Sequence, residues 1–293
     1  MKYEFCHGSD LCEISRREGV PISEIMMRNE MEKSERTRES ITAEMKSNLD
    51  VMRASIREGL EADEQHRGIF VGGDAAKLMA FAGQSNLGTD MAEVIASAMA
   101  VVEYNASMGK IVAAPTAGAS GILPAVLIVC GEKRGFDDDT ICRGLFTAGA
   151  IGCIIAKNAS IAGASGGCQA ETGSAAAMAA GALAELCGAN PETVLHASAI
   201  ALKNIMGLVC DPVGGLVECP CVKRNAIGAA NAVLSCDLAL AGIRSLIPFD
   251  EVVDTMKRVG DRMHADLKET ARGGLAAAPT AQRLAERLSG TEA

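Results

Sequence analysis

The residues of this 293-residue chain best suited to chemistry are thiols placed in loops. Cys210, Cys219 and Cys221 share the run Gly207-Leu208-Val209-Cys210-Asp211-Pro212-Val213-Gly214-Gly215-Leu216-Val217-Glu218-Cys219-Pro220-Cys221-Val222-Lys223-Arg224-Asn225. Proline fixes φ and removes a backbone donor, and a Gly-Gly pair admits left-handed turns, so this run is a shaped loop between helical segments. A fourth thiol, Cys168, stands in a second loop, Gly163-Ala164-Ser165-Gly166-Gly167-Cys168-Gln169-Ala170-Glu171. The N-terminus, Met1-Lys2-Tyr3-Glu4-Phe5, shows no apolar signal region. Several loop thiols in such a chain point to a metal site rather than to disulfides. There is no Cys-x-x-Cys run of the bacterial ferredoxin type, and no histidine pair at zinc-finger spacing. The two loops are expected to meet and hold an iron–sulfur cluster through Cys168, Cys210 and one of Cys219 and Cys221, between which spacing does not choose. Three thiolates on a 4Fe-4S cluster leave one iron open, a Lewis acid able to take a substrate hydroxyl.

A third loop, Ser107-Met108-Gly109-Lys110-Ile111-Val112-Ala113-Ala114-Pro115-Thr116-Ala117-Gly118-Ala119-Ser120-Gly121-Ile122-Leu123-Pro124, places hydroxyls and glycines just ahead of an apolar helix. Exposed N–H groups at a helix start form an anion site, so Thr116, Ala117, Gly118, Ser120 and Gly121 are candidates to bind a substrate carboxylate. The plain alternative is an ordinary capped turn. Ser165 in the Cys168 loop is a further candidate of the same kind.

The elements that must position these loops read as helices throughout. Apolar residues make up 48% of the chain, with no Trp, two Tyr and six Phe, and with abundant Ala, Gly and Met. Small side chains let helix backbones approach closely, and the lack of aromatic and β-branched runs argues against a sandwich or barrel. Periodicity and caps predict helices over 10–17, 21–33, 34–60, 89–108, 121–130, 140–159, 174–186, 191–206, 225–245, 249–262 and 281–288. The expected fold is an all-α bundle of buried Ala/Gly-rich helices with cluster-binding loops. Residues 1–68 supply amphipathic N-terminal helices that pack on an all-helical domain over 69–293, the two forming one continuous domain. In the 34–60 segment Ile41, Met45, Leu49, Met52 and Ile56 mark a packing or oligomerisation face. Cys130, Cys142, Cys153, Cys187 and Cys236 lie in apolar helical patterns and read as small buried hydrophobes; Cys6 and Cys12 carry no assigned role. A net charge of −9 without a basic cluster disfavours nucleic acid and anionic membrane. The longest apolar runs, 144–156 and 175–183, fall short of the roughly 20 residues of a spanning helix, so a cytoplasmic location is expected.

The runs at 113–124, 167–171, Cys210-Asp211-Pro212 and 220–225, in that order, resemble the iron–sulfur-dependent L-serine dehydratases, and nearly the whole chain resembles the alpha chain of their two-subunit form. The resemblance implies conversion of L-serine to pyruvate and ammonia without pyridoxal phosphate, and a 4Fe-4S cluster on Cys168, Cys210 and Cys221, which puts Cys219 second to Cys221. It implies serine degradation by an oligomer in which a separate beta chain carries an α/β domain. Single-chain relatives of the family also end in a cysteine that can cap the cluster; this chain ends Gly290-Thr291-Glu292-Ala293. The mechanism expected on this basis is β-elimination, with the serine hydroxyl on the open iron and the carboxylate against 116–121. The base is either on the partner chain or among Lys110, Glu171, His196 and Lys203; His7, His66 and His264 stand in no motif. Rival readings are a pyridoxal-phosphate dehydratase, a non-catalytic iron–sulfur or zinc protein, and a helical scaffold with buried thiols.

Overall fold

A computed structural model describes residues 2–61 and 68–290. Among these residues the chain is helical with no strand; the one isolated bridge pairs Cys210 with Lys268 in parallel. Three N-terminal helices, α1 (Gly8–Glu18), α2 (Ile22–Ser34) and α3 (Arg38–Leu60), precede α4 (Asp74–Phe81) and α5 (Thr89–Ala106). The next helix begins as α6 (Ile122–Pro124), widens into a π-helical stretch over Ala125–Val129 and ends as α7 (Cys130–Lys133). Then follow α8 (Asp138–Asn158), the short α9 (Gly163–Gly166), a π-helical turn over Gln169–Gly173 that runs into α10 (Ser174–Leu186), and α11 (Pro191–Asn204). The chain finishes with α12 (Cys221–Leu240), α13 (Phe249–Arg262) and α14 (Pro279–Ser289).

The centre of the bundle is α10, packed against α8, α11 and α12, with every residue from Ser174 to Ala184 buried. The Ala/Gly composition explains how one helix accepts three close neighbours. A Cβ added at Gly181 would lie 2.3 Å from Ile151 Cδ1 and 2.4 Å from Ser198 Oγ. Tyr3, Phe5, Leu11, Ile22, Ile25, Leu49 and Met52 of the N-terminal region belong to the same apolar core as Ile151, Leu183 and Val194. The helix expected over 34–60 starts later, at Arg38: α2 runs one residue past its expected end, and Glu35 then turns left-handed at φ 56° with its N–H bonding Met31 O at 3.1 Å, closing α2. Thr37 then caps α3 by accepting from Ser40 N at 3.3 Å. At α12 the helix starts at Cys221, ahead of the expected 225, because Pro220 stands just outside it; it ends at Leu240 where Gly242 takes φ 86°.

Residues 68–75 are organised by two buried carboxylates. Glu218 accepts from the N–H groups of Ile69, Phe70 and Val71 at 3.0, 2.6 and 3.1 Å. Glu103 accepts from Gly73, Asp74 and Ala75 at 3.0, 3.1 and 3.4 Å, which supplies α4 with its N-terminal cap. Helix α8 is by length and composition apolar enough to cross a membrane, a stretch longer than its uninterrupted apolar run; here 61% of that window is buried among neighbouring helices.

The tightest contact between helices gives a test. A Cβ on Gly59 of α3 would stand 2.1 Å from the Ala100 carbonyl oxygen of α5, so Gly59→Ala is expected to cost about 2 kcal/mol in chemical denaturation. Gly83→Ala, which meets nothing within 4 Å, is expected to leave stability unchanged to within ~0.5 kcal/mol.

Candidate active site

The two cysteine loops and the hydroxyl-bearing loop meet at one end of α10. Cys168 immediately precedes the π-helical turn, and its Sγ is 3.1 Å from Thr172 Oγ1. Cys210 is held by its backbone: its N–H donates to Leu267 O at 2.8 Å and its carbonyl accepts from Glu269 N at 2.7 Å. The Cys210 thiol reaches 3.8 Å from Glu171 Oε2. Cys221 is the first residue of α12 and its carbonyl accepts from Asn225 Nδ2 at 2.9 Å. Arg224, one turn into α12, donates to Val209 O at 2.8 Å and to Asp211 Oδ1 at 2.7 Å. Asp211 Oδ2 in turn accepts from Leu275 N at 2.7 Å. That last contact needs glycine beside it, since a Cβ at Gly274 (φ 58°) would come within 2.3 Å of the same oxygen.

The electrostatics of the site are those of acids crowded together. Burial pushes the Cys221 thiol up to about 12, with the charges of Cys168 and Glu171 adding to it and Arg224 opposing. Burial likewise raises Cys210, reinforced by Glu171, Cys168 and Cys221. Cys168 is raised by burial, against the Thr172 hydroxyl and the Arg224 guanidinium. Glu171 is raised by burial, with the Thr116 hydroxyl favouring the charged form. The three thiols and the carboxyl therefore act on one another's charge, and Arg224 is the cation that opposes them. Cys219 is not among the main charges acting on these thiols; its carbonyl closes its own loop by accepting from Val213 N at 2.9 Å.

This donor set fits a cluster. Thiols raised by burial and by mutual repulsion bind a polycation that replaces their protons. Among the described residues no group of three or more His, Cys, Asp or Glu side chains converges closely enough to hold a single metal ion. A cubane spreads its ligands over separate iron corners and does not ask for that convergence. Space is left beside the thiols by glycine: a Cβ at Gly163 would lie 2.7 Å from Glu171 Oε2 and 2.9 Å from Cys210 Sγ.

The third loop enters from the α5 side. Thr116 Oγ1 is buried without a hydrogen bond of good geometry, although it lies near enough to Glu171 to bias its charge. A Cβ at Gly118 would stand 3.5 Å from Glu171 Oε1. Ser120 is turned inward, its hydroxyl donating to Ala117 O at 2.7 Å, and Gly121 N donates to Asn225 Oδ1 at 3.0 Å. Thr116 and Gly118 therefore face the acids, while Ser120 and Gly121 hold the loop in place.

The other candidates stand apart. Ser165 bonds Ser160 and the Ala162 carbonyl, and lines a separate cavity of about 210 Å³ with Gln169, Met256, Lys257 and Asp261. Lys110 is exposed at the entry to the third loop. His196 lies half-buried on α11, lowered by burial and by Arg244. Lys203 donates to Ser245 Oγ at 3.1 Å, His7 caps α1, His264 accepts from Asp266 N at 3.2 Å, and His66 lies outside the described residues. Sequence reasoning missed Arg224, Asn225, Asp211 and Thr172. Their visible signals were position within four residues of a thiol and, for Asp211, Arg224 and Asn225, membership of the runs that carry the family resemblance; neither reveals what a side chain will reach.

The fold is an all-helical bundle in which thiols from separate loops gather beside a buried carboxyl, and comparison with known proteins gives its class, a lyase of the serine dehydratase type. The family described as "Serine dehydratase alpha chain" matches residues 17–276, and the chain belongs to that family. It is 49% identical over 288 residues to "Probable L-serine dehydratase, alpha chain" of Bacillus subtilis, covering 98% of this chain and 96% of the relative. It is 46% identical over 277 residues to "L-serine dehydratase, alpha chain" of Peptoniphilus asaccharolyticus, covering 94% and 95%. Against "L-serine dehydratase" of Streptomyces coelicolor the identity is 42% over 94% of this chain, which spans 61% of that longer protein.

Changing Cys168, Cys210 or Cys221 to Ala is expected to remove bound iron and the broad visible absorption of anaerobically purified protein. Cys219→Ala is expected to retain both. Iron analysis and absorption spectra of the four variants check the assignment, and retention of full iron by all of the first three would overturn it.

Proposed function

We propose that this chain is the catalytic alpha chain of a two-chain L-serine dehydratase, a carbon–oxygen lyase that turns L-serine into pyruvate and ammonia. The observation that carries this reading is the convergence of Cys168, Cys210, Cys221 and Glu171 beside the 116–121 loop, in a family whose relatives bear that name. Cys168, Cys210 and Cys221 would hold a 4Fe-4S cluster, which when bound supplies a Lewis acid that makes the substrate hydroxyl a better leaving group.

The chain's own residues do the rest. The loop from Thr116 to Gly121 receives the serine carboxylate, with the buried Thr116 hydroxyl, which makes no hydrogen bond of good geometry, as a donor toward it. Glu171 faces this loop and is the in-chain group placed to take the Cα proton. Its buried setting holds its pKa above the ordinary carboxylate value, which brings a carboxylate base nearer to neutral pH, where such a base works best. Proton and hydroxide leave on adjacent carbons; the resulting enamine tautomerises to an imine, and hydrolysis releases pyruvate and ammonia.

A beta chain completes the enzyme in this reading. The Streptomyces coelicolor relative is a longer chain of which this one spans 61%, and the alpha-chain relatives match this one along nearly their whole length. All eleven cysteines are free thiols, which suits a reducing, cytoplasmic setting. The pyridoxal-phosphate reading needs alternating strands and helices, and the described residues contain no strand.

Glu171→Gln is expected to lower kcat about 10²- to 10⁴-fold with iron content retained. A base must be unprotonated, and burial raises the Glu171 pKa, so the acidic limb of the wild-type kcat/KM profile should fall above the ordinary carboxylate value of 4.5. Measured pH profiles of both proteins with the beta chain present check this. Wild-type turnover in Glu171→Gln would place the base elsewhere, the partner chain being the first place to look.

A further inference from the structure

Asn225 is wholly buried on the first turns of α12, and its amide is spent on three backbone groups. Its Oδ1 accepts from Gly121 N at 3.0 Å. Its Nδ2 donates to Gly118 O at 2.7 Å and to Cys221 O at 2.9 Å. One planar side chain thus fastens both ends of the turn at 118–121 to the residue that opens α12 and carries a thiol. No other residue type offers this pattern at this length: an acceptor and two donors in one rigid plane. The far side of the turn is fixed by steric contact, since a Cβ at Gly121 would stand 2.0 Å from the Ala98 carbonyl oxygen of α5. Gly118, whose carbonyl Asn225 holds, is the residue whose Cβ position faces Glu171 Oε1 at 3.5 Å.

We propose that Asn225 is a positioning residue that sets the seat of the substrate carboxylate relative to the thiols and to Glu171. It touches neither substrate nor cluster; it fixes the separation between them. The neighbouring Arg224 does the corresponding work on the opposite side, tying α12 to Val209 and Asp211 of the Cys210 loop. The first turns of α12 are therefore a hub with two spokes. The Arg224 spoke serves the thiols and the Asn225 spoke serves the substrate. Loss of the second should weaken substrate binding and leave the cluster in place. The inference rests on the reading of residues 116–121 as the carboxylate seat.

Asn225→Asp keeps the shape and the acceptor for Gly121 N but removes both donors and sets an anionic oxygen against two carbonyls. Asn225→Ser is the milder companion, because its hydroxyl can still bond the carbonyl one turn back at Cys221. The matched control is Asn231→Asp on the same helix, a likewise buried amide that donates to Ala201 O at 2.8 Å and accepts from Asn204 Nδ2 at 2.8 Å, away from all three loops. Each variant is prepared anaerobically with its beta chain. Steady-state kinetics, iron content, thermal unfolding and hydrogen exchange of the 116–121 amides are then measured. Both Asn225 variants should raise KM for L-serine by about 10- to 100-fold, keep kcat within about threefold, retain iron and speed exchange at 116–121. Asn231→Asp should lower the unfolding temperature while leaving KM and that exchange unchanged. Wild-type KM and wild-type exchange in the Asn225 variants would overturn the proposal, as would iron loss in step with activity. A wild-type complex that holds iron but does not turn over serine would instead sink the functional reading, and the exchange comparison would still decide whether Asn225 sets the loop.

Discussion

Three thiols and a carboxyl are gathered where burial disfavours the charge of each, and the rest of the site is arranged around that crowding. Burial raises the proton affinity of Cys168, Cys210, Cys221 and Glu171, the Glu171 charge adds to the rise at each thiol, and Arg224 is the largely buried cation that opposes it at Cys168 and Cys221. An assembly of acids this close is held together only by what surrounds it. Here each acid sits on backbone fixed from elsewhere. The Cys210 peptide is bonded on both sides to the segment 267–269, and Cys168 precedes, and Glu171 lies within, a π-helical turn continuous with the central helix. Cys221 opens a 20-residue helix. The same crowding that would disfavour four charges in an empty pocket is what a positively charged cluster would relieve.

The fastening is done by polar side chains that reach backbone rather than by apolar packing. Asp211, Asn225 and Glu218 lie in or beside the same loop, and each is buried and bonded to a different distant segment: 275, 118–121 and 69–71. Loops rich in Gly and Pro bury little apolar surface of their own, so they are ordered by hydrogen bonds to groups that would be costly to leave unpaired. Arg224 and Asp211, 12% and 3% exposed in their side chains, form the ion pair at the centre of this net, and each also bonds backbone, Arg224 at Val209 O and Asp211 at Leu275 N.

Behind the loops stands a core of unusual composition. Alanine and glycine on α10, and glycines at 59 and 121, let helix axes and loop backbone come within contact of neighbouring carbonyls. Close backbone approach leaves little freedom for the loops that emerge from these helices, which is how a helical bundle can define a site without a sheet edge or barrel mouth to build it on. The N-terminal helices share this core through Leu11, Ile22, Ile25 and Leu49, so the charged segment that precedes the apolar bundle is part of its packing.

Helical periodicity, Ala/Gly content and the placement of Gly and Pro were enough by themselves to determine an all-α fold and most helix positions. These are local properties, and a residue's neighbours in the chain decide them. The boundary between α2 and α3 was legible to within a few residues, but the start of α3 at Arg38, the extra helix over Asp74–Phe81 and the start of α12 at Cys221 were not, because each depends on a cap or a distant partner: Glu103 for the N-terminus of α4 is the plainest case. The thiols were recognisable as residue types, and the resemblance put Cys221 ahead of Cys219, but spacing alone did not choose between them. Nor did sequence separate Glu171, which faces Cys210, from His196 and Lys203, which are placed on another helix with other partners. Which side chains converge depends on how helices far apart in the chain cross and on which backbone groups need a partner when buried. Only the tertiary structure decides that.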